Sequence, residues 1–425
     1  MRSRVFFSLF YSGLTIFLMT GCEEPVYRIY TGNAPVYMSY SELRSSVVVD
    51  SRVLLENPGK VYFSGNYIFI VEELKGVHIY DNTDPSAPVK KSFIKIPGVD
   101  DIAVSGTRLY ANSYIDLVVL DIGNIDNISL AGRRESLFVY TLPPVGNNLP
   151  RANFDKTRGV VIGWVVRKIK EKDNYNDYHI DHVDQKTFFS KVNPGGACYG
   201  NNGDGTGSGG SLPRFVIYGN SVLVFGDYLS RIYNFADILN PYAPVTELYA
   251  SEVRTVSVSD DRLVLGSMYT NFIVDLKVQS VSQYPVYFDA MVYCDPVIAS
   301  DTLIFLTSRT GTECNNAPNL LRVIGLDEFN NSDILNSIPM SMPLGLAKTG
   351  DILFVCDGKD GLKIFDASDP LALDENLIKT YPGILADNVF IYNDILVLCS
   401  EKAVFQFDYS DLNNLLLLSS IVAGE

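Results

Sequence analysis

From residue 59 onward the apolar positions fall in short runs broken by Gly, Asn, Asp and Pro, and no stretch sustains the three-to-four spacing of a helix. A turn pair followed by an apolar run recurs at Gly65-Asn66, Gly106-Thr107, Gly219-Asn220, Asp260-Asp261, Ser300-Asp301, Gly350-Asp351 and Asn393-Asp394. Downstream of each comes a run closing on Asp or Asn: "VHIYD" (77–81), "LVVLD" (117–121), "SRIYN" (230–234), "NFIVD" (271–275), "VIGLD" (323–327), "LKIFD" (362–366) and "VFQFD" (404–408). The phrase "GVHIYDNTDP" (76–85) returns as "GLKIFDASDP" (361–370).

Each unit reads as four short strands, and a four-stranded unit of about forty residues repeated in register predicts a β-propeller. One blade cannot bury both faces of its sheet, whereas neighbours stacked around an axis can. The expectation is an all-β chain with a single propeller over 59–425. Seven four-stranded blades are preferred, with eight as the alternative. The alternative arises because 140–211 is too long for one period and forms a large insertion. Within it, 155–172 reads as a long hairpin or a stray strand pair, and the glycine-rich 195–211 reads as non-strand. The Asp or Asn closing each third strand is expected to accept backbone N–H groups from the next turn, where Pro85 and Pro370 fix φ.

"LVVLD", "NFIVD" and "LKIFD" resemble the LVIVD-repeat family of bacterial propeller proteins. The resemblance covers 59–425 apart from the insertion. It implies a propeller exposed outside the cytoplasm, with no particular biochemistry attached.

The N-terminus carries an address. Arg2 and Arg4 precede an apolar run over 5–19 and then "LMTGC" (18–22), the anatomy of a signal peptide. The run is short for a membrane span, which takes about 20 residues. "LMTGC" resembles a bacterial lipobox, with Met19 where Leu is commoner; it implies a signal peptide over 1–21 and a lipid on Cys22. Glu23 and Glu24 resemble the acidic tags of some Gram-negative surface lipoproteins, which implies an outer-membrane anchor. Residues 22–58 are then a tether and lead-in, with a short helix expected where Ser39 stands three before Glu42.

Charge removes one class of partner. With 34 Lys and Arg against 49 Asp and Glu, the net charge is −15, which repels nucleic acid. In a four-strand unit the first-to-second and third-to-fourth turns share one face. The second-to-third loops and the crossings between units share the other, and the long additions 140–211 and 307–320 fall there. Variable loops on a rigid frame are where function usually resides. Tyr114, Asp227, Tyr228 and Tyr269 from the loops, with Arg214 and Arg254 from the crossings, are therefore the candidate contacts for a protein or glycan partner; Asp116, Met268, Asp357 and Asp360 share the face.

Candidate chemistry is sparse. His179 and His182 form H-x-x-H but have no second ligand pair, so no metal is expected. Residues 202–213 open like a calcium loop but place Pro213 where an acidic ligand belongs. "GTGSGG" (205–210) precedes a strand rather than a helix, which leaves no helix terminus to hold a phosphate. His78 is read as pointing out of its strand. Cys356 and Cys399 read as small buried hydrophobes, Cys198 as a free thiol, and Cys294 with Cys314 as a candidate disulfide. No cofactor is expected. The reading is a non-catalytic, lipid-anchored binding or scaffolding module, with a propeller hydrolase or lyase of the cell envelope as the alternative.

Overall fold

The computed structural model describes residues 27–50, 53–172, 198–200, 206–208, 214–218, 221–225, 230–248, 253–259, 262–267, 271–275, 284–286, 297–300, 302–310, 318–327 and 332–424. They form a single all-β propeller whose one α-helix among the described residues is Tyr40–Ser45. Antiparallel meanders occupy 58–95, 102–134, 215–248, 253–286, 297–339, 346–381 and 388–422.

Period-two alternation builds the ring. In the 58–95 sheet, Phe69, Val71, Val77 and Ile79 pack against Ile102, Leu109, Val118 and Leu120 of the next sheet. The alternate positions Ile68, Ile70 and Tyr80 pack against Phe390, Val397 and Val404 of the 388–422 sheet. The strands over 67–72 and 76–81 are thus apolar on both sides, as a sheet sandwiched between neighbours requires. Full burial of one such Ile or Val contributes roughly 1.5–3 kcal/mol. The turn pairs behave as their chemistry demands: Gly65, Gly106, Gly350, Asn393 and Asp394 all adopt left-handed backbone.

Seven or eight uniform four-stranded blades are not what the chain builds. Among the described residues five of these sheets have four strands, one has five and one has six. The extra strands come from outside the repeats. Val48–Asp50 pairs with Val89–Lys95 at an outer edge. Cys198–Gly200 pairs parallel with 61–63, and Thr206–Ser208 pairs antiparallel with 346–348, both at inner edges. Strand is therefore present within 195–211, where the glycine-rich composition predicts none. Glycine there lets backbone approach backbone closely, and Thr206–Ser208 also lies against the innermost strands 253–259, 297–300 and 388–392. This part of the insertion enters the centre of the ring rather than decorating its face.

The lead-in also differs from a plain tether. Tyr27–Met38 pairs along its whole length with Val160–Lys172, making a two-stranded arm. Residues 155–172 looked like a hairpin because the apolar partner strand lies more than 100 positions earlier and cannot be seen locally. The helix is capped as its Ser-x-x-Glu spacing predicts, Ser39 accepting from the Glu42 N–H.

Candidate functional site

Two kinds of carboxylate distinguish the two faces. On the third-to-fourth turns, Asp81 accepts from Thr83 N–H, Asp121 from Gly123, Asn234 from Ala236, Asp366 from Ser368 and Asp408 from Ser410, as expected. These groups sit on the surface, and the neighbouring hydroxyls and N–H groups hold the Asp81 and Asp366 carboxyls below their usual range.

On the opposite face three carboxylates, Glu72, Asp116 and Asp357, are buried. Glu72 accepts from the Glu56 and Asn57 N–H groups at 2.8 and 2.9 Å, with Lys75 at 3.4 Å and the buried His78 at 3.5 Å. Burial alone would raise its pKa, but His78, the two N–H groups and Lys75 outweigh it and bring the carboxyl down to about 2. His78 therefore does not point outward: it is fully buried, its ring centroid 4.7 Å from that of Phe93, and burial lowers its pKa.

Asp116 is also fully buried. It accepts from Arg44 at 3.1 Å, Arg133 at 3.2 Å and the Ser136 N–H at 2.9 Å, tying the helix and a crossing to one loop. Asp357 accepts from the Ser341 and Met342 N–H groups and pairs with Lys363. At the inner strand starts, Lys60 pairs with Asp101, which also accepts from the Arg214 and Phe215 N–H groups, and Arg214 forks onto Asp100. One buried charge cluster thus links three consecutive sheets.

The expected contact residues divide accordingly. Tyr114 is not an exposed stacking ring; it is 5% exposed, in left-handed backbone, and lies over Gly98. Gly98 is itself left-handed, and a Cβ there would stand 2.2 Å from the tyrosine ring. Burial pushes the Tyr114 hydroxyl up to about 12. Arg214 is engaged with Asp100, so its first role is to hold sheets together. Asp227, Tyr228, Tyr269, His179, His182, Cys22, Cys294 and Cys314 lie outside the described residues, and for Arg254 the backbone alone is described, in strand. Cys356 is buried, as expected of a small hydrophobe, and its thiol is free, whereas Cys399 is disulfide-bonded rather than a simple hydrophobe.

What the face does offer is a groove of about 350 Å³ between the 346–381 and 388–422 sheets. Leu344, Leu385 and Ala386 supply apolar surface, while Lys359, Asp387, Glu401 and Lys402 supply charge. Burial raises the Asp387 pKa and the Glu401 charge adds to this, with Arg309 opposing. Leu344, Leu385, Ala386 and Asp387 lie in the crossings "SMPLG" and "GILAD", and Lys359, Glu401 and Lys402 in second-to-third loops, where no periodic signal marks which positions converge.

A family profile described as the LVIVD repeat matches residues 59–94, 98–135 and 345–378. No curated protein sequence matches the chain. Among solved structures, a dihydro-heme d1 dehydrogenase, NirN, is 13% identical over 88% of this chain and 69% of its own, with a TM-score of 0.47. Hsv2 of Kluyvelomyces marxianus is 10% identical over 87% and 100%, at 0.46. A protein from Lactobacillus plantarum is 10% identical over 80% and 90%, at 0.45. Such distant likeness assigns no chemistry.

Proposed function

Because the chain is a propeller that carries LVIVD repeats, its specificity should lie in loops rather than in the repeat, and we propose a non-catalytic binding or scaffolding role. In this reading a lipid on Cys22 holds the protein at the outer membrane of a Gram-negative cell. The crossing face meets a protein or glycan partner, and no cofactor or nucleic acid takes part. The observation that carries it is the groove beside Leu385 and Lys402, where apolar surface and charges of both signs stand together. Such a mixture suits peptide or sugar recognition. The buried carboxylates Glu72, Asp116 and Asp357 already hold backbone N–H groups and cations, which supports a scaffold role for them rather than a part in a reaction. Asp227, Tyr228, Tyr269 and Arg254 extend the same proposed face.

A photo-crosslinker at position 385 should trap a partner in intact envelopes, and one at Thr83 on the opposite turns should not. With the probe kept at 385, Lys359→Glu with Lys402→Glu should abolish the adduct. Trapping only from position 83 places recognition on the wrong face here. Hydrolysis of an envelope glycan or ester, retained by the purified protein and lost with Asp387→Asn, replaces the binding reading with the enzymatic one. Mass spectrometry of the mature N-terminus tests the lipid on Cys22.

A further inference from the structure

The arm is the least explained part of the molecule. Its base, Met38 with Val160, packs with Leu43, Tyr114 and Ile115 on the crossing face. From there the twelve residues of Tyr27–Met38 extend about 40 Å at strand rise. Opposed residues of an antiparallel pair project to the same side, so the register fixes two different faces. On one, Tyr30, Ala34 and Ile169 are covered by Ala152. On the other, Tyr27, Ile29 and Thr31 stand opposite Lys172, Lys170 and Lys168, and all six are exposed. Tyr27 is 50% and Ile29 59% exposed. The outer half of the arm carries Arg28, Arg167, Lys168, Lys170 and Lys172 against the single carboxylate Glu171, in a chain of net charge −15. Glu171 is taken up on the covered side, accepting from the Tyr30 hydroxyl at 2.8 Å and the Asn153 N–H at 2.7 Å. Lys170 lies 4.5 Å from the Tyr27 ring centroid.

We propose that this open face is a membrane-docking surface, with its lysines on anionic phospholipid headgroups and Tyr27 and Ile29 entering the interface. Three observations select a lipid surface as occupant. Cations alternate with a tyrosine and an isoleucine on one flat side, the composition of interfacial binding segments. The charge is opposite to that of the whole molecule, so this face can be drawn to an anionic surface that the rest of the chain would repel. Finally, the chain enters the arm at its tip, and Tyr27 follows Cys22 by only five positions. Those residues span at most about 18 Å, which would bring the tip to the bilayer. This last point rests on the proposed lipid anchor; the first two do not.

The experiment therefore uses unlipidated protein, residues 23–425, which keeps every described residue. It should co-sediment with vesicles of phosphatidylglycerol and phosphatidylethanolamine but not with phosphatidylcholine alone, and half-molar salt should release it. Each lysine near an anionic surface is worth about fivefold in partitioning. Lys168→Gln with Lys170→Gln and Lys172→Gln should therefore weaken binding roughly a hundredfold, with an unchanged thermal midpoint. Ile29→Glu alone, should the triple variant misfold, should weaken it at least tenfold. Three results overturn the proposal: equal binding to both vesicle types, full binding by a folded triple variant, or arm-dependent dimers in sedimentation with no vesicle binding. Failure here with a lipid still found on Cys22 removes the arm's role and leaves the anchor standing.

Discussion

The same residue types do opposite work on the two faces of the ring. Asp81, Asp366 and Asp408 sit in solvent on the turn face, each accepting a nearby N–H. On the crossing face Glu72, Asp116 and Asp357 are fully buried and join distant segments. A surface carboxylate loses little solvation on folding and returns little stability. A buried one must be fully partnered, and removing it orphans its partners at a cost of several kcal/mol. Repetition of sequence marks the inexpensive positions; the scaffold leans on the unrepeated ones.

Asp116→Ala should break that contrast hardest. It leaves the Arg133 guanidinium and the Ser136 N–H without their acceptor, and the urea midpoint should fall by the equivalent of about 3 kcal/mol. Glu72→Gln comes next, on the order of 2 kcal/mol at neutral pH. Its carboxyl is lowered in the folded protein to about 2, so its contribution is present above the ordinary carboxylate range and is lost as pH falls through the folded value. Wild type and variant should therefore converge between about pH 4.5 and 2 in urea titrations, and a constant gap would refute the assignment. A smaller effect of opposite sign is expected at Asp387, whose carboxyl is raised by burial and then by Glu401. A raised carboxyl costs stability as pH climbs through its folded value. Asp387→Asn should accordingly lift the thermal midpoint slightly at pH 7 and do nothing at pH 3. Asp81→Ala with Asp366→Ala and Asp408→Ala together should lower the midpoint less than Asp116→Ala alone; an equal loss would erase the distinction between faces.

The ring was legible in the sequence because its signals are local. A period-two run such as "LKIFD", a Gly or Asn-Asp turn and an Asx turn all act within ten residues, and the structure uses each as expected. The non-local parts were hidden. Nothing near Val160–Lys172 announces that its partner is Tyr27–Met38. Nothing in a glycine-rich stretch says that its backbone will reach the inner strand at 346–348. Tyr114 was misread for a similar reason: a loop tyrosine is exposed by default, and only Gly98 in left-handed backbone makes the hollow that buries it. The groove beside Leu385 depends on how two crossings converge, which no linear pattern encodes.

The seam between first and last sheets has a consequence of its own. Phe63 packs edge-on against Phe390 at 5.1 Å, Tyr392 donates to the Gly65 carbonyl, and Gln406 bonds Asn82, yet the 58–95 and 388–422 sheets exchange no strand. The Gly424 N–H reaches the Leu55 carbonyl at 2.8 Å, so the two ends of the repeat array touch. A ring closed this way has no privileged beginning. Joining 424 to 53 with a short linker in a chain that lacks the arm strand, helix and Val48–Asp50, and cutting at the exposed Gly106-Thr107 turn, should yield a circular permutant that keeps the seven meanders. Under pulling force the two molecules should part company: the native chain opens first at its seam, like a zip, while the permutant must tear a sheet.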